Sequence, residues 1–390
     1  MTGFPHSTSY IELSQQALAA NLAFIRSRLQ ADTQFYSVVK GNAYGHGIQE
    51  FVTMARACGV EHFATFSADE AWKVDQVDEG AIDIMIMGML DDDQLAWAVD
   101  QGHAFFVFNQ QRLEQAMHLA RRMGKPARIH LELETGMNRT GLDPIDLGSA
   151  IRLINDQPSL VVLEGLCTHL AGAESIGNYV RIKKQHIQFR KQIKSVLSTS
   201  RIKPRTIHAA CSAAMLRYPS THWDLVRIGI LQYGFFPSRE TFIEYVTQSA
   251  EPAEDPLRRI ISWKSRVMDV KSVPVGQFVG YGSSYLANAN IRVAQIPVGY
   301  GHGYSRNLSN QGRVLIRGHR VNVVGMVNMN LIQVDVTEVP EVAVGDEVVL
   351  IGRQGEQEIS VSSFSEFSDQ INYELLTRLP PSIERRIIKD

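Results

Sequence analysis

Through the first two thirds of the chain, short apolar runs alternate with stretches whose apolar positions recur at helical spacing. The runs are FYSVVK (35–40), HFATFS (62–67), DIMIMG (83–88), AFFVFN (104–109), ARIHLELE (127–134), VVLEGLCT (161–168), RTIHAA (205–210) and LVRIGI (225–230). Short runs this rich in β-branched and aromatic residues predict strands. Between them, QQRLEQAMHLARRMG (110–124) keeps Leu113, Met117 and Leu119/Ala120 near helical spacing. NYVRIKKQHIQFRKQIKSVL (178–197) predicts a second long helix, with Val180, Ile187 and Ile193 on one expected face. Eight strands, each followed by a helical pattern or a turn, predict an α/β fold: a parallel (β/α)8 TIM barrel over residues 12–250.

The texture changes near residue 250. EPAEDP (251–256) is a polar, proline-bearing link. SRVMDVKSV (265–273), RVAQIPVG (292–299), GRVLIRGHRVNVVG (312–325), LIQVDVT (331–337) and DEVVLIG (346–352) follow, separated by Gly and polar turns. They predict a mostly antiparallel β domain over 251–390, with one short helix near 360–370.

Composition narrows the class. At 390 residues, 44% hydrophobic and 21% charged, the chain is of globular, two-domain size. A net charge of −2 gives no electrostatic reason to expect nucleic acid or anionic lipid as a partner. Cys58, Cys167 and Cys211 have no CxxC spacing, so neither disulfides nor a metal site is expected. No apolar run reaches membrane-spanning length and no basic-then-apolar leader stands at the start, which predicts a soluble, cytoplasmic protein.

Barrels carry their chemistry at the C-terminal ends of the strands. Lys40 ends the first run, in YSVVKGNAYGHG (36–47). A strand-end lysine by itself fits a side chain snorkelling to solvent as well as an amine with a lowered pKa used for a Schiff base. The other strand ends decide between them. His169 follows strand six, Ser212 follows strand seven, and Arg227 in strand eight precedes Gly229 and Ile230. Loops after strands seven and eight commonly hold phosphate. A lysine, a ring-stacking candidate, a phosphate cradle and an arginine on one rim form a constellation suited to pyridoxal 5′-phosphate.

The sequence resembles the alanine racemase family over nearly its whole length. The likeness rests on VVKGNAYGHG around Lys40, ETGMNRTG (134–141), THLA (168–171), HAACSAA (208–214), VRIGILQYG (226–234), VGYGSSY (279–285), VGYGHGY (298–304) and GMVNMN (325–330). It implies a pyridoxal phosphate-dependent isomerase that interconverts L- and D-alanine, supplying D-alanine for the cell wall. It also implies a homodimer with shared active sites, and an N-terminal strand near Tyr10–Leu13 packed on the β domain. Carried over residue by residue, Lys40 holds the cofactor as an imine and Tyr44 contacts its phosphate. His169 packs by the ring, and Ser212, Gly229 and Ile230 hold the phosphate. Arg227 faces the ring nitrogen, and Arg139 binds the substrate carboxylate. The partner lends Tyr281 as a second base, Tyr300 at the entrance, and Met329 through its backbone N–H.

Inverting a stereocentre by removing and returning a proton needs a base on each face, so a lysine and a tyrosine are a coherent pair. A phenol is a poor base at its ordinary pKa, and a cation such as Arg139 would favour its phenolate.

Three positions depart from the family pattern. Glu132 stands where many members carry a carbamylated lysine, and supplies an anion directly. Asn330 stands where aspartate is usual, and Cys211 where asparagine is frequent. No tyrosine follows Tyr373, so the family's C-terminal phosphate contact has no assigned residue. These changes open the alternative of a broader or shifted amino-acid racemase acting on serine, lysine or arginine. A decarboxylase of the same architecture would want a catalytic cysteine in the β domain, and no cysteine follows Cys211. A non-catalytic pyridoxal phosphate-binding barrel would lack the β domain and Tyr281. A metal-assisted aldolase would want a His/Asp pair where only His302 and His319 are scattered.

Overall fold

The computed structural model of the chain describes residues 7–78, 81–248, 254–365 and 372–389. The chain folds into two compact units. One joins Ala17–Lys40 to Val52–Arg258, and the other joins Met1–Gln16 and Gly41–Phe51 to Arg259–Asp390.

Strand β1 (Ser9–Ser14) belongs to the second unit. The first unit is a closed barrel of β2 (Gln34–Val38), β3 (His62–Thr65), β4 (Asp83–Ile86), β5 (Ala104–Val107), β6 (Ala127–Glu132), β7 (Val161–Cys167), β8 (Thr206–Cys211) and β9 (Leu225–Ile228). All neighbours are parallel, and β9 closes the ring on β2 with Tyr36 opposite Arg227. Each strand falls on one of the eight predicted runs, and most end one or two residues earlier than the apolar run does. That difference places Lys40 in a turn beyond β2 rather than on the strand itself.

The helices between strands form as their caps dictate. Gln110–Met123 starts at Asn109, whose side chain accepts the Arg112 N–H, and stops at Gly124 in the left-handed region. Leu113, Met117 and Ala120 are buried as expected. The helix Tyr179–Thr199 corrects the face read from sequence. Ile182, Gln185, Phe189, Gln192, Ile193 and Val196 face inward. Val180 and Ile187 lie outward, 63% and 70% exposed. The winning stripe follows i, i+3/i+4, i+7 spacing from Ile182, with two glutamines whose Nε2 groups find acceptors inside; Ile187 and Ile193, six apart, fall on different faces.

The second unit contains β10 (Ile261–Arg266), β11 (Asp269–Val273), β12 (Ile291–Ile296), β13 (Arg313–Ile316), β14 (His319–Asn322), β15 (Ile332–Asp335), β16 (Glu347–Gln354), β17 (Gln357–Ile359) and β18 (Glu384–Ile388). One sheet runs β14-β13-β16-β10-β1-β18, with β17 pairing β16; a second runs β11-β12-β15. Pairing is antiparallel except β1 with β18. The run read from sequence as 312–325 is a hairpin. Its two-residue turn, Arg317-Gly318, has φ of 50° and 77°, the mirror-image turn whose twist suits paired strands. A helix is present at Ser362–Ser365; the rest of the helix expected near 360–370, like residues 251–253 of the expected link, lies outside the described residues. Among the described residues, no helix is long and apolar enough to cross a membrane.

Candidate active site

The end of β2 is held from the segment that follows β9. The Val38 carbonyl accepts both Gln232 Nε2 (3.0 Å) and Tyr233 Oη (2.9 Å), and Ser37 Oγ donates to Gln232 Oε1 (2.8 Å). Lys40 therefore leaves a fixed strand end. Its side chain meets solvent at the barrel mouth, yet its pKa lies below the ordinary value of 10.5. Desolvation is the main cause, with the Arg139 and Arg227 guanidiniums adding to it and Glu70 opposing. Lowering a lysine's pKa raises the fraction of neutral, nucleophilic amine.

Three predicted residues converge after β8 and β9. Ser212 follows β8, is buried, and its Oγ accepts the Gly229 N–H at 3.0 Å. Ile230 is buried and opens the 3-10 turn Ile230–Tyr233. Cys211 stands just before Ser212 in extended conformation. His169, two residues past β7, is half-buried, and its carbonyl accepts Gln185 Nε2 at 3.0 Å. Burial, then Arg227, Arg139 and Lys40, push its pKa down to about 3, so its ring is neutral at physiological pH.

Arg227 is buried and makes no ion pair among the described residues. Its Nη2 donates to the Thr168 carbonyl (2.9 Å) and its Nη1 meets His208 Nδ1. Its Nε has no protein acceptor among the described residues. Glu132, the last residue of β6, is buried, and burial raises its pKa; a hydrogen bond from Thr140 and the charges of Arg227 and Arg139 oppose that rise. Glu132 and Arg139 make no ion pair among the described residues. Arg139 is exposed in the loop after β6 and its nearest approach to Glu132 exceeds ion-pair distance. Their coupling is through space.

The remaining predicted residues belong to the second unit. Tyr44 closes a left-handed turn in which Gly41, Asn42, Ala43 and Tyr44 all have φ between 52° and 64°. Left-handed backbone is costly for residues with a Cβ, so something must hold it. Arg385 Nη2 donates to the Gly45 carbonyl (2.9 Å), and a Cβ on Gly45 would come within 1.8 Å of the Leu376 carbonyl oxygen. Tyr373 stands edge-on to Tyr44 at 6.3 Å. Tyr300 and Met329 are brought together through backbone, since the Tyr300 N–H donates to Asn328 (3.0 Å) and the Gly301 N–H to Met329 (2.8 Å). Met329 and Asn330 are exposed, and Tyr281, between two positive-φ glycines, is 75% exposed. No hydrogen bond among the described residues joins Tyr281 to Tyr300 or Met329.

Sequence reasoning missed His208, His130, Thr168, Gln232 and Tyr233. His208 and the Gln-Tyr pair lie inside motifs quoted above, HAACSAA and VRIGILQYG. Their signal was polar residues within runs otherwise built for a barrel interior.

Known proteins resemble this chain in sequence and in fold. Residues 13–237 match the family described as alanine racemase, N-terminal domain, and residues 260–387 match alanine racemase, C-terminal domain. An alanine racemase of Leptospira interrogans is 32% identical over 384 residues, covering 98% of this chain and 96% of the relative. One of Symbiobacterium thermophilum is 33% identical over 380 residues, covering 97% and 96%. Among solved structures, alanine racemase of Bacillus anthracis with bound L-Ala-P superposes with a TM-score of 0.88 at 28% identity, covering 100% of this chain and 97% of that one. That of Bartonella henselae, with covalently bound pyridoxal phosphate, gives 0.81 at 25%, covering 98% and 100%. With both halves matched and the likeness running nearly end to end, this chain belongs to the alanine racemase family.

Proposed function

We infer that the protein is a pyridoxal phosphate-dependent alanine racemase that interconverts L- and D-alanine. The observation that carries the reading is Lys40, an amine of lowered pKa at the barrel mouth, in a chain about a third identical to alanine racemases along its length. The donor set fits the cofactor. A neutral-tending amine suits its carbonyl, a buried guanidinium with a free Nε suits its ring nitrogen, and an excess of cations suits a phosphate and a substrate carboxylate.

In this reading the barrel is the cofactor-binding domain, with Lys40 as the covalent attachment point. Ser212, Gly229, Ile230 and Tyr44 hold the phosphate, His169 lies by the ring, and Arg227 serves the ring nitrogen. When bound, the cofactor supplies the electron withdrawal that acidifies the substrate Cα–H. Lys40 takes or returns the Cα proton on one face. The partner subunit's Tyr281 does so on the other, with Tyr300 and Met329 completing the substrate side and Arg139 binding the carboxylate. The exposure of Tyr281 supports a role met by a second copy, and the active unit is accordingly a homodimer working in the cytoplasm. Asn330 and the lack of a tyrosine after Tyr373 are the departures that favour a broader or shifted choice of amino acid.

Borohydride reduction followed by peptide mass spectrometry tests the attachment: the reduced adduct falls on Lys40, and an adduct on any other lysine overturns the assignment. Mixing inactive Lys40→Ala and Tyr281→Phe chains tests the shared site. Restored activity is expected, and no recovery after demonstrated subunit exchange contradicts it. A racemisation assay across L-alanine, serine, lysine and arginine fixes the preference, with alanine expected first.

A further inference from the structure

The long helix Tyr179–Thr199 turns to solvent a face that the proposed mechanism does not use. It carries six of the chain's 39 Lys and Arg and none of its 41 Asp and Glu, and no acidic residue occurs between Glu174 and Asp224. The whole-chain charge of −2 therefore hides a strongly basic stretch. Arg181, Lys183, Lys184, Arg190, Lys191 and Lys194 are all exposed, and no ion pair among the described residues engages any of them. The exposed Lys73 and Lys125 of the same unit, by contrast, meet Asp69 and Asp100. Helical geometry sets the unpaired charges beside apolar side chains. With Ile182, Phe189 and Val196 on the buried stripe, Val180, Lys184, Ile187, Lys191 and Lys194 fall on one ridge on the opposite side, at i, i+4, i+7, i+11 and i+14. That ridge is about 21 Å long. Val180 and Ile187 are 63% and 70% exposed, and the exposed Ile176 and Tyr179 extend the apolar part at the helix start, with Lys183 Nζ 4.6 Å from the Tyr179 ring centroid.

We propose that this ridge is a peripheral docking face for a bilayer surface rich in anionic phospholipid. Lysines interleaved with aliphatic side chains on a convex ridge suit a lipid–water boundary. Val180 and Ile187 enter the acyl edge, while the lysine stems lie along it and carry their ammonium groups back to the phosphates. A nucleic-acid duplex would leave the two aliphatics against sugar and phosphate, and the side chains that read bases in pairs of hydrogen bonds, Arg, Asn and Gln, do not stand on the ridge. One short ridge binds weakly and reversibly, so attachment follows the anionic lipid content and weakens with salt. None of the residues assigned to the active site lies on this helix, so the proposal stands independently of the racemase reading.

Flotation of the full chain, loaded with its cofactor, on lipid vesicles tests it. Phosphatidylcholine vesicles with about one third phosphatidylglycerol should carry the protein at low ionic strength, pure phosphatidylcholine should not, and salt at about 0.5 M should release it. Lys184→Glu/Lys191→Glu should weaken binding at least about tenfold, whereas Arg122→Glu/Lys271→Glu, with the same change in net charge, should leave it within about twofold. Val180→Ser/Ile187→Ser should weaken it about threefold at unchanged charge. Equal binding to both kinds of vesicle, no binding to the anionic ones, or an equal loss in the Arg122/Lys271 pair overturns the proposal. Tighter binding to poly-glutamate or to duplex DNA than to anionic vesicles overturns the choice of lipid. A changed oligomeric state in Lys184→Glu/Lys191→Glu would make the ridge a subunit contact and overturn it too. If the ridge variants do not fold, acetylation footprinting of wild type decides: Lys184 and Lys191 should be protected on anionic vesicles, and their undiminished labelling there refutes the docking face.

Discussion

The two ends of the barrel treat charge in opposite ways. At the N-terminal end each described cation of the cluster has a carboxylate. Arg128 donates to Asp83 (3.0 Å) and to Glu164 (2.6 Å), and Arg205 reaches Glu164 (3.0 Å). Asp83 also takes His62 Nδ1 (3.2 Å) and the Tyr36 hydroxyl, which drives the Tyr36 pKa upward through burial and the carboxylate beside it. At the C-terminal end Lys40, Arg139 and Arg227 share a neighbourhood in which no described ion pair engages them, and Glu132 is a buried carboxylate that the two arginines influence. A closed network of opposite charges does structural work, and an open excess of one sign waits for anions that arrive with ligand. The contrast locates function: the same residue types hold the fold at one end and leave binding capacity at the other.

The severest test of that contrast lies at Arg128. Arg128→Met strands Asp83 and Glu164 without their main partner and should lower stability by about 3 kcal/mol. Thermal unfolding reads the loss, and activity per folded molecule should stay within about twofold because the lesion is far from the mouth. An unchanged Tm would mean the network is ornamental.

A smaller effect belongs to Glu132. Glu132→Gln keeps its shape and removes its charge, and should cost about 1–2 kcal/mol in kcat/KM, since Glu132 and Arg139 interact without direct contact. Glu132→Lys should be weak and partly rescued by bicarbonate, which rebuilds an anion on the lysine, while wild type ignores bicarbonate. Wild-type activity in Glu132→Gln would make this glutamate purely structural.

The pH dependence of stability separates the barrel's middle from its ends. His130 is neutral in the folded state with its pKa down to about 3, whereas an unfolded histidine titrates near 6.5. The unfolded chain therefore binds the extra proton between those values, and stability falls as pH drops from about 6.5 toward 3. Asp83 is also depressed, with its hydrogen bonds and Arg128 outweighing desolvation, so its contribution is present above the ordinary carboxylate range and is lost only at lower pH. His130→Asn should reduce the slope of the upper part of the profile, to which His46, His169 and His208 also contribute, and leave the lower part. Chemical denaturation across pH 4–8 checks this, and parallel profiles for the two proteins would refute it.

The smallest stability change is expected at Arg139. It is exposed and unpaired among the described residues, so Arg139→Ala should shift stability by less than about 0.5 kcal/mol. Its loss should appear instead as a higher KM for alanine in steady-state kinetics. A large fall in Tm would place Arg139 in the structural class with Arg128.

Much of this was legible in the chain because barrel strands are buried on both faces. Near-continuous apolar runs then mark each strand, and a lysine or arginine at the end of one stands out, as Lys40 and Arg227 do. His169, Ser212 and Gly229 each stand within two residues of a strand end, which kept them at readable positions. Which polar residues meet inside was not legible. His130 and His208 are 78 residues apart, in strands that are not neighbours, and only barrel closure and the missing Cβ of Gly165 let their rings touch. The inward face of Tyr179–Thr199 likewise turned on Gln185 and Gln192, whose burial depends on distant partners such as Thr135 and the Glu134 carbonyl. The elements, their order and the candidate chemistry could be read along the chain, because they follow from local periodicity and from motifs of a few residues. Charge pairing, the contact of His130 with His208 and the left-handed turn after Lys40 emerged only on folding, because each depends on groups brought together from far along the chain.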